Sequence, residues 1–384
     1  MILSLQTDSF GSRGGIPTYN RLVSRALNDF DATTVGYALV AMDKPEDVEP
    51  WAHLHPNLQL TAFGGHRLSF IRSAIQTVIQ NPIDLLLAGH VNYAPLCWLL
   101  RLLRPHMRFG VFVYGWDVWS RLPPVRRRAL QSADLVISIS DYTKQEAIRN
   151  NGLRDDRVFV LPNAVERARN QTVSSRRGSS LPRGTKLLSV GRLNAAERQK
   201  GFDTVIESLP KIVENVPDVQ YLIVGAGTDL ERHQQLARTV GVSDRVHFLG
   251  TVSDDMLSWC YESCDLFVMP SSQEGFGFVY LEAMNYSKAV VAAASGGVPE
   301  VVEDGVTGVL VNYGDKEKLA DALIDLCVDP KKRERLGSAG YQRLQDNFTY
   351  EHFRRKLHEI ILKELPVKDV PANRSSAGVA PNAA

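Results

Sequence analysis

Glu274 and Glu282 stand eight positions apart in SSQEGFGFVYLEAM, with Gly275 and Gly277 flanking Phe276 between them. A carboxylate carries several lone pairs and no donor, which makes it the complement of a vicinal diol. Glu274 precedes the helical stretch FVYLEAM and can reach across the turn to sugar hydroxyls, while Glu282 lies on that stretch and can accept two hydrogen bonds from a ribose. The glycines keep the turn thin enough for a ligand to meet main-chain amides, and the helix that follows points its positive end at that ligand. A capping residue and an exposed helix residue would also account for the two carboxylates, but they would give the paired glycines no purpose.

Other loops carry compatible chemistry. Arg192 follows the run KLLSV, and Lys200 precedes Gly201, where a helix begins; two cations beside a helix N-terminus suit a diphosphate. Gly14 and Gly15 open a helix with Pro17 in its first turn, where free amides favour an anion. Gly296 and Gly297 form a further thin turn after AVVAAA, placed to close the floor of the same pocket. The turn Gly225-x-Gly227 has Leu230 where a dinucleotide fingerprint needs its third glycine, so a nicotinamide site is not expected there.

These residues follow apolar runs that alternate with helical periodicity. In the first half the strand-like runs are MILSL, TTVGYALV, IDLLLAG, RFGVFVY, ADLVISIS and RVFVL; in the second they are KLLSV, QYLIVG, RVHFLG, DLFVMP, AVVAAA and GVLV. Between the early runs, IPTYNRLVSRAL repeats Ile16, Tyr19, Val23 and Ala26 at helical spacing. This alternation predicts an α/β protein of two doubly wound, parallel-sheet domains. The expected boundaries are 1–165 and 185–349, with a polar, Gly/Ser-rich linker at 166–184, a last helix near 350–365 and a disordered tail at 366–384. Ligands of such sheets bind outside the carboxyl ends of the strands, where the residues named above lie.

Composition narrows the function. The chain has 384 residues with a net charge of +1, which argues against a dedicated nucleic-acid binder. Its four cysteines, Cys97, Cys260, Cys264 and Cys327, have no framework spacing, and the pair Cys260 and Cys264, one helical turn apart without a His pair to complete a zinc site, reads as packing or surface thiols of a reducing compartment. MILSLQTDSF has no basic flank and reads as a first strand, and no apolar run reaches the ~18 residues of a bilayer span. A cytoplasmic protein is expected, with contact at the inner face of the membrane as an added role.

Taken in order, G-R-L…K-G-F, L-G-T-V-S-D, E-G-F-G-F-V-Y-L-E and S-G-G-V-P-E resemble the retaining nucleotide-sugar glycosyltransferases of family four, across residues 1 to about 365. The resemblance implies a GT-B fold: two facing Rossmann-like domains, the first binding the acceptor, the second the UDP- or GDP-sugar donor, with the last helix crossing back to the first. Carried onto this sequence, Glu274 contacts the transferred sugar and Glu282 the ribose. The amides of Gly275, Phe276, Gly277 and Phe278 hold sugar and phosphate, Gly15 approaches the diphosphate from the other domain, and Thr251 and Val252 position the base. No metal cofactor is implied; Arg192 and Lys200 stand in for one at the leaving diphosphate.

Two features depart from that pattern. The segment NAAERQ lengthens the interval between Arg192 and Lys200 by about three residues and threatens to displace the lysine. Tyr114 also stands after RFGVFVY where many members carry a histidine, and a phenol with a reference pKa of about 10 is a poor base. His90 is the candidate for the missing imidazole; Asn92, Trp116 and Asp117 are the candidate acceptor contacts. The basic stretches RLPPVRRRAL and RLLRPHMR read as a solvated face or as contact with an anionic bilayer presenting a lipid-linked acceptor. The expected activity is retaining transfer to a glycan or glycolipid in cell-surface polysaccharide synthesis. Its rivals are a GT-B epimerase and a non-catalytic sugar-nucleotide-binding protein.

Overall fold

The computed structural model describes residues 1–30, 36–166 and 181–365. Seven parallel strands form the first sheet: β1 (Ile2–Gln6), β2 (Gly36–Val40), β3 (Leu58–Ala62), β4 (Leu85–Ala88), β5 (Arg108–Val113), β6 (Leu135–Ser138) and β7 (Val158–Val160), in the order 3-2-1-4-5-6-7. Six more form the second: β8 (Lys186–Val190), β9 (Gln220–Val224), β10 (Val246–Gly250), β11 (Leu266–Met269), β12 (Ala289–Ala293) and β13 (Gly308–Val311), in the order 10-9-8-11-12-13. In both sheets the strand order reverses beside the first strand, at β1/β4 and at β8/β11, and loops leaving those strands frame a crevice. This is the expected pair of Rossmann-like domains. Strands β1, β4, β9, β11 and β12 are buried along their whole length, as expected for a sheet covered by helices on both faces. β3 is an addition to the sequence reading. The predicted linker and tail fall largely outside the described residues, at 167–180 and 366–384.

The last helix, Tyr350–Glu364, lies against helix Gly15–Asn28 of the first domain. Tyr350 donates to Asp29 at 2.8 Å, a His358 ring nitrogen lies 2.6 Å from the Ala26 carbonyl, and Phe353 meets the Tyr19 ring edge-on at 5.2 Å. Tyr19 is fully buried and also meets Tyr114 edge-on at 5.3 Å. The crossing helix thus packs, through one ring, against the residue that opens the loop after β5.

The domains also meet directly across the crevice. Glu300, at the end of the S-G-G-V-P-E turn, accepts hydrogen bonds of 2.8 Å each from the amides of Asp141 and Tyr142 in the first turn of helix Asp141–Asn151. A carboxylate from one domain therefore caps a helix of the other, at the end where its dipole favours negative charge. On the other side Arg13 donates to the Val252 carbonyl at 2.6 Å and pairs with Asp254 at 3.0 Å.

Candidate active site

The loop after β11 is shaped by contacts that exclude side chains. An added Cβ at Gly275 would lie 2.3 Å from the Tyr114 carbonyl oxygen of the other domain, and one at Gly297 would lie 2.2 Å from the Gly275 carbonyl oxygen. Gly277 has φ 95°, a left-handed conformation that glycine adopts without strain, and starts helix Phe278–Asn285. The amide of Gly297 donates to the Glu274 carbonyl at 2.8 Å, so the two glycine turns brace each other. Gly15 reaches this loop from the first domain: a Cβ there would stand 3.7 Å from the Phe278 ring. Phe276 is buried against Phe348, so it faces the core and leaves only its main chain to a ligand.

Glu274 and Lys200 converge at the mouth of this loop, with Lys200 Nζ 3.8 Å from Glu274 Oε2 and both side chains about one-fifth exposed. At that separation they attract without a tight hydrogen bond, leaving donors and acceptors free for a ligand. The longer interval after Arg192 is taken up by a 3-10 segment, Ala195–Lys200, which ends at Gly201 in the left-handed region, φ 83°. A Cβ at Gly201 would meet the Pro270 carbonyl oxygen at 2.4 Å, so this glycine lets the lysine segment lie against the β11 loop. The insertion therefore does not carry Lys200 away from Glu274. Arg192 is mostly exposed and pairs with Glu197 at 2.8 Å, inside the inserted segment.

Glu282 lies one helical turn beyond Phe278, half-buried, and accepts a 2.6 Å hydrogen bond from the hydroxyl of Tyr261. Burial raises its pKa, the Tyr261 hydrogen bond opposes the rise, and the nearby Asp254 charge adds to it. Thr251 is exposed and Val252 half-buried on the loop after β10, where Arg13 reaches across. Among the described residues no three His, Cys, Asp or Glu side chains are grouped to hold a metal ion, and all four cysteines are free thiols.

On the facing domain, His90 and Tyr114 stack with ring centroids 6.1 Å apart and planes at 25°. The Tyr114 hydroxyl lies 3.0 Å from the Gly89 carbonyl and 3.3 Å from Asn20 Oδ1. Burial, with Asp117 and Asp8 adding, holds this phenol well above its usual pKa, so it is a fixed neutral donor. His90 Nδ1 accepts from the Asn92 amide at 3.1 Å, and burial together with the Arg126 charge lowers its pKa against the pull of Asp8. A neutral imidazole whose Nδ1 is an acceptor carries its proton on Nε2, so in this arrangement His90 presents a donor. The Asp117 carboxylate accepts from the amides of Tyr114 at 3.0 Å and Gly115 at 2.7 Å, closing the turn, and burial raises its pKa to about 6 despite those bonds. Trp116 projects from this turn, 54% exposed among the large apolar residues, beside Trp119 at 6.4 Å. Asn92 is exposed at the rim. Asn20, Arg13 and Tyr261, which complete these contacts, carry no motif in the sequence, whereas Glu300 ends the S-G-G-V-P-E motif, which does not mark it as a contact.

The sequence models for Glycosyltransferase Family 4 and Glycosyl transferases group 1 match residues 13–169 and 174–343. The GDP-mannose-dependent alpha-(1-6)-phosphatidylinositol monomannoside mannosyltransferase of Mycolicibacterium smegmatis is 32% identical over 292 residues, covering 70% of this chain and 74% of the relative. The chain belongs to the family 4 glycosyltransferases. A second relative of this glycosyltransferase, the D-inositol 3-phosphate glycosyltransferase of Corynebacterium jeikeium, is 31% identical over 346 residues, 83% of this chain and 80% of its own. Among solved structures, Anabaena Alr3699/HepE in complex with UDP-glucose has a TM-score of 0.74 at 21% identity, covering 94% of the glycosyltransferase and 99% of that chain. At that identity the likeness establishes the GT-B fold alone.

Proposed function

We propose that this glycosyltransferase moves a sugar from a nucleoside-diphosphate donor to a hydroxyl of a glycan or lipid-linked acceptor, with retention of anomeric configuration. The carrying observation is the convergence of Glu274 and Lys200 on the glycine-lined β11 loop, with Glu282 one helical turn behind. In this reading Glu274 orients the sugar hydroxyls and Glu282 the ribose. Loop amides and the N-terminus of helix Phe278–Asn285 meet the diphosphate, and Lys200 and Arg192 neutralise it as the anomeric C–O bond breaks, with no metal required. The acceptor oxygen bonds to the anomeric carbon on the face the phosphate leaves, and its proton passes to a leaving phosphate oxygen. Trp116 supplies a flat apolar surface for an acceptor ring, and the His90 Nε2–H donates a hydrogen bond.

The named relatives make GDP-mannose the first donor to try and inositol-containing glycolipids the first acceptors. A membrane-borne acceptor also fits the outer face of the first domain. Helix Arg67–Gln80 buries Phe70, Ala74 and Val78 but exposes Leu68, Ile71 and Ile79, and Leu99, Leu102 and Leu103 are exposed on the neighbouring segment. Arg104 joins the two by donating to the Val78 and Ile79 carbonyls, Arg72 is exposed on the first helix, and Arg126 and Arg128 are exposed on helix Pro124–Gln131, which packs against helix Ala94–Leu100. Apolar side chains among arginines suit an anionic bilayer surface. No helix among the described residues is long and apolar enough to cross a membrane.

Thermal melting with GDP, UDP and ADP tests the donor assignment. A nucleotide at a hundred times its Kd raises stability by ~2.7 kcal/mol. A rise with GDP or UDP that Lys200→Ala abolishes is expected, and no rise with any of the three would refute the donor site.

A further inference from the structure

Glu282 is a half-buried carboxylate that forms no ion pair among the described residues, and the charge that acts on it, Asp254, is of its own sign. Its side-chain hydrogen bond is to the hydroxyl of Tyr261, on helix Asp254–Ser263, at 2.6 Å to Oε2. That length is typical of a hydroxyl donating to an ionised oxygen.

The Tyr261 ring is itself fixed. It is 2% exposed, stacks on Tyr286 with centroids 5.7 Å apart and planes at 7°, and packs against Phe267 at 5.8 Å. Its phenol pKa is held well above the usual value by burial and by Glu282, so the hydroxyl remains a donor throughout the physiological pH range. A buried ring packed against two others aims that donor at one carboxylate oxygen and hinders the carboxylate from turning. The second oxygen, Oε1, stays unengaged by any side chain of the described residues.

We propose that Tyr261 is a positioning residue for the donor: by holding Glu282 Oε2 it presents Oε1, ionised and correctly turned, to the ribose diol. This rests on the reading of Glu282 as the ribose acceptor. The competing account is that the Tyr261–Glu282 pair only fastens one helix to the other, in which case losing the hydroxyl should weaken every nucleotide alike. A positioning role instead weakens only nucleotides that carry the diol.

The test is calorimetric titration of the wild type, Tyr261→Phe, Glu282→Ala and the double variant with GDP, UDP and their 2′,3′-dideoxy counterparts. For whichever base binds, the wild type should prefer the ribonucleotide. Tyr261→Phe should lose about tenfold in affinity for it, the scale of one hydrogen bond to a charged group, and change less than twofold toward the dideoxy form. Equal losses on both forms, or no loss, would overturn the proposal. If the wild type itself does not distinguish the two forms, the ribose reading of Glu282 fails and Tyr261 fails with it. If Tyr261→Phe does not fold, because its carboxylate is left without a partner, the comparison of Glu282→Ala, which removes the acceptor, with the double variant still decides. Acting through Glu282 requires those two to bind the ribonucleotide equally, and a further loss in the double variant refutes it.

Discussion

Replacing Gly275 by alanine should uncouple domain closure from domain folding. The added methyl carbon would stand 2.3 Å from the Tyr114 carbonyl oxygen and 3.1 Å from Ile139 Cδ1, both in the facing domain. Gly275 is not among the glycines with positive φ, so alanine fits its backbone and the second domain should fold as before. The Tyr114 carbonyl cannot give way easily, because the Tyr114 amide is held by Asp117 at 3.0 Å and its ring abuts Tyr19 at 5.3 Å. Relief therefore comes from separating the domains by roughly 1 Å, the difference between the clash and an ordinary contact distance. That separation would lengthen the Arg13–Val252 bond from 2.6 Å beyond hydrogen-bonding range and move Gly15 away from Phe278. A misplacement of about 1 Å between reacting groups costs on the order of 100-fold in rate. Nucleotide release from the donor in the presence of acceptor should fall by about that factor, while the melting temperature moves by no more than a few degrees. Unimpaired turnover by Gly275→Ala would refute the claim that this contact sets the working geometry.

Two further outcomes follow from the same structure. Asp117 has its pKa raised to about 6 in the fold, so the native state binds more protons than the unfolded chain between about pH 4 and 6, and stability falls as pH rises through that window. Asp117→Asn can still accept from both amides and removes this penalty; thermal melts should show it more stable than wild type by about 3 kcal/mol at pH 8, with the gap closing toward pH 4. An unchanged gap across that range would contradict the assignment. On the outer face, Leu102→Ser with Leu103→Ser should reduce cosedimentation with phosphatidylglycerol vesicles at least tenfold, since burying each leucine contributes roughly 1.5–3 kcal/mol. Wild-type binding should fall with added salt and be weak on phosphatidylcholine, and failure to bind either vesicle would remove the membrane reading.

Much of the fold was legible because buried parallel strands must be apolar along their length, which made runs such as LLLA and LFVM visible without an alignment. β3, LQLTA, was missed because it is an edge strand with Gln59 and Thr61 facing outward, so it lacks a continuous apolar run. The glycine turns of the site could be read from residue type alone, since close approach of main chains leaves little choice. Their partners could not. Arg13 meets Val252 across 239 residues of sequence, and Tyr261 meets Glu282 from a helix whose residues look like ordinary packing. Asp117 shows the converse: the sequence offered it as an acceptor contact, and what it did not reveal is that its carboxylate also caps the amides of its own turn. Local hydrogen bonding of this kind has no signature beyond a short polar side chain near a glycine.

The most direct test of the account is sugar transfer from GDP-mannose, with UDP-glucose in parallel, to an inositol glycolipid acceptor by wild type, Glu274→Ala and Lys200→Ala. The glycosidic product's anomeric configuration is to be read by NMR. The account predicts product with the donor's configuration from the wild type, and a loss of about 100-fold or more in each variant, the scale of removing one group that stabilises developing charge. Nucleotide binding without turnover across a broad acceptor panel, or an inverted product, would contradict it.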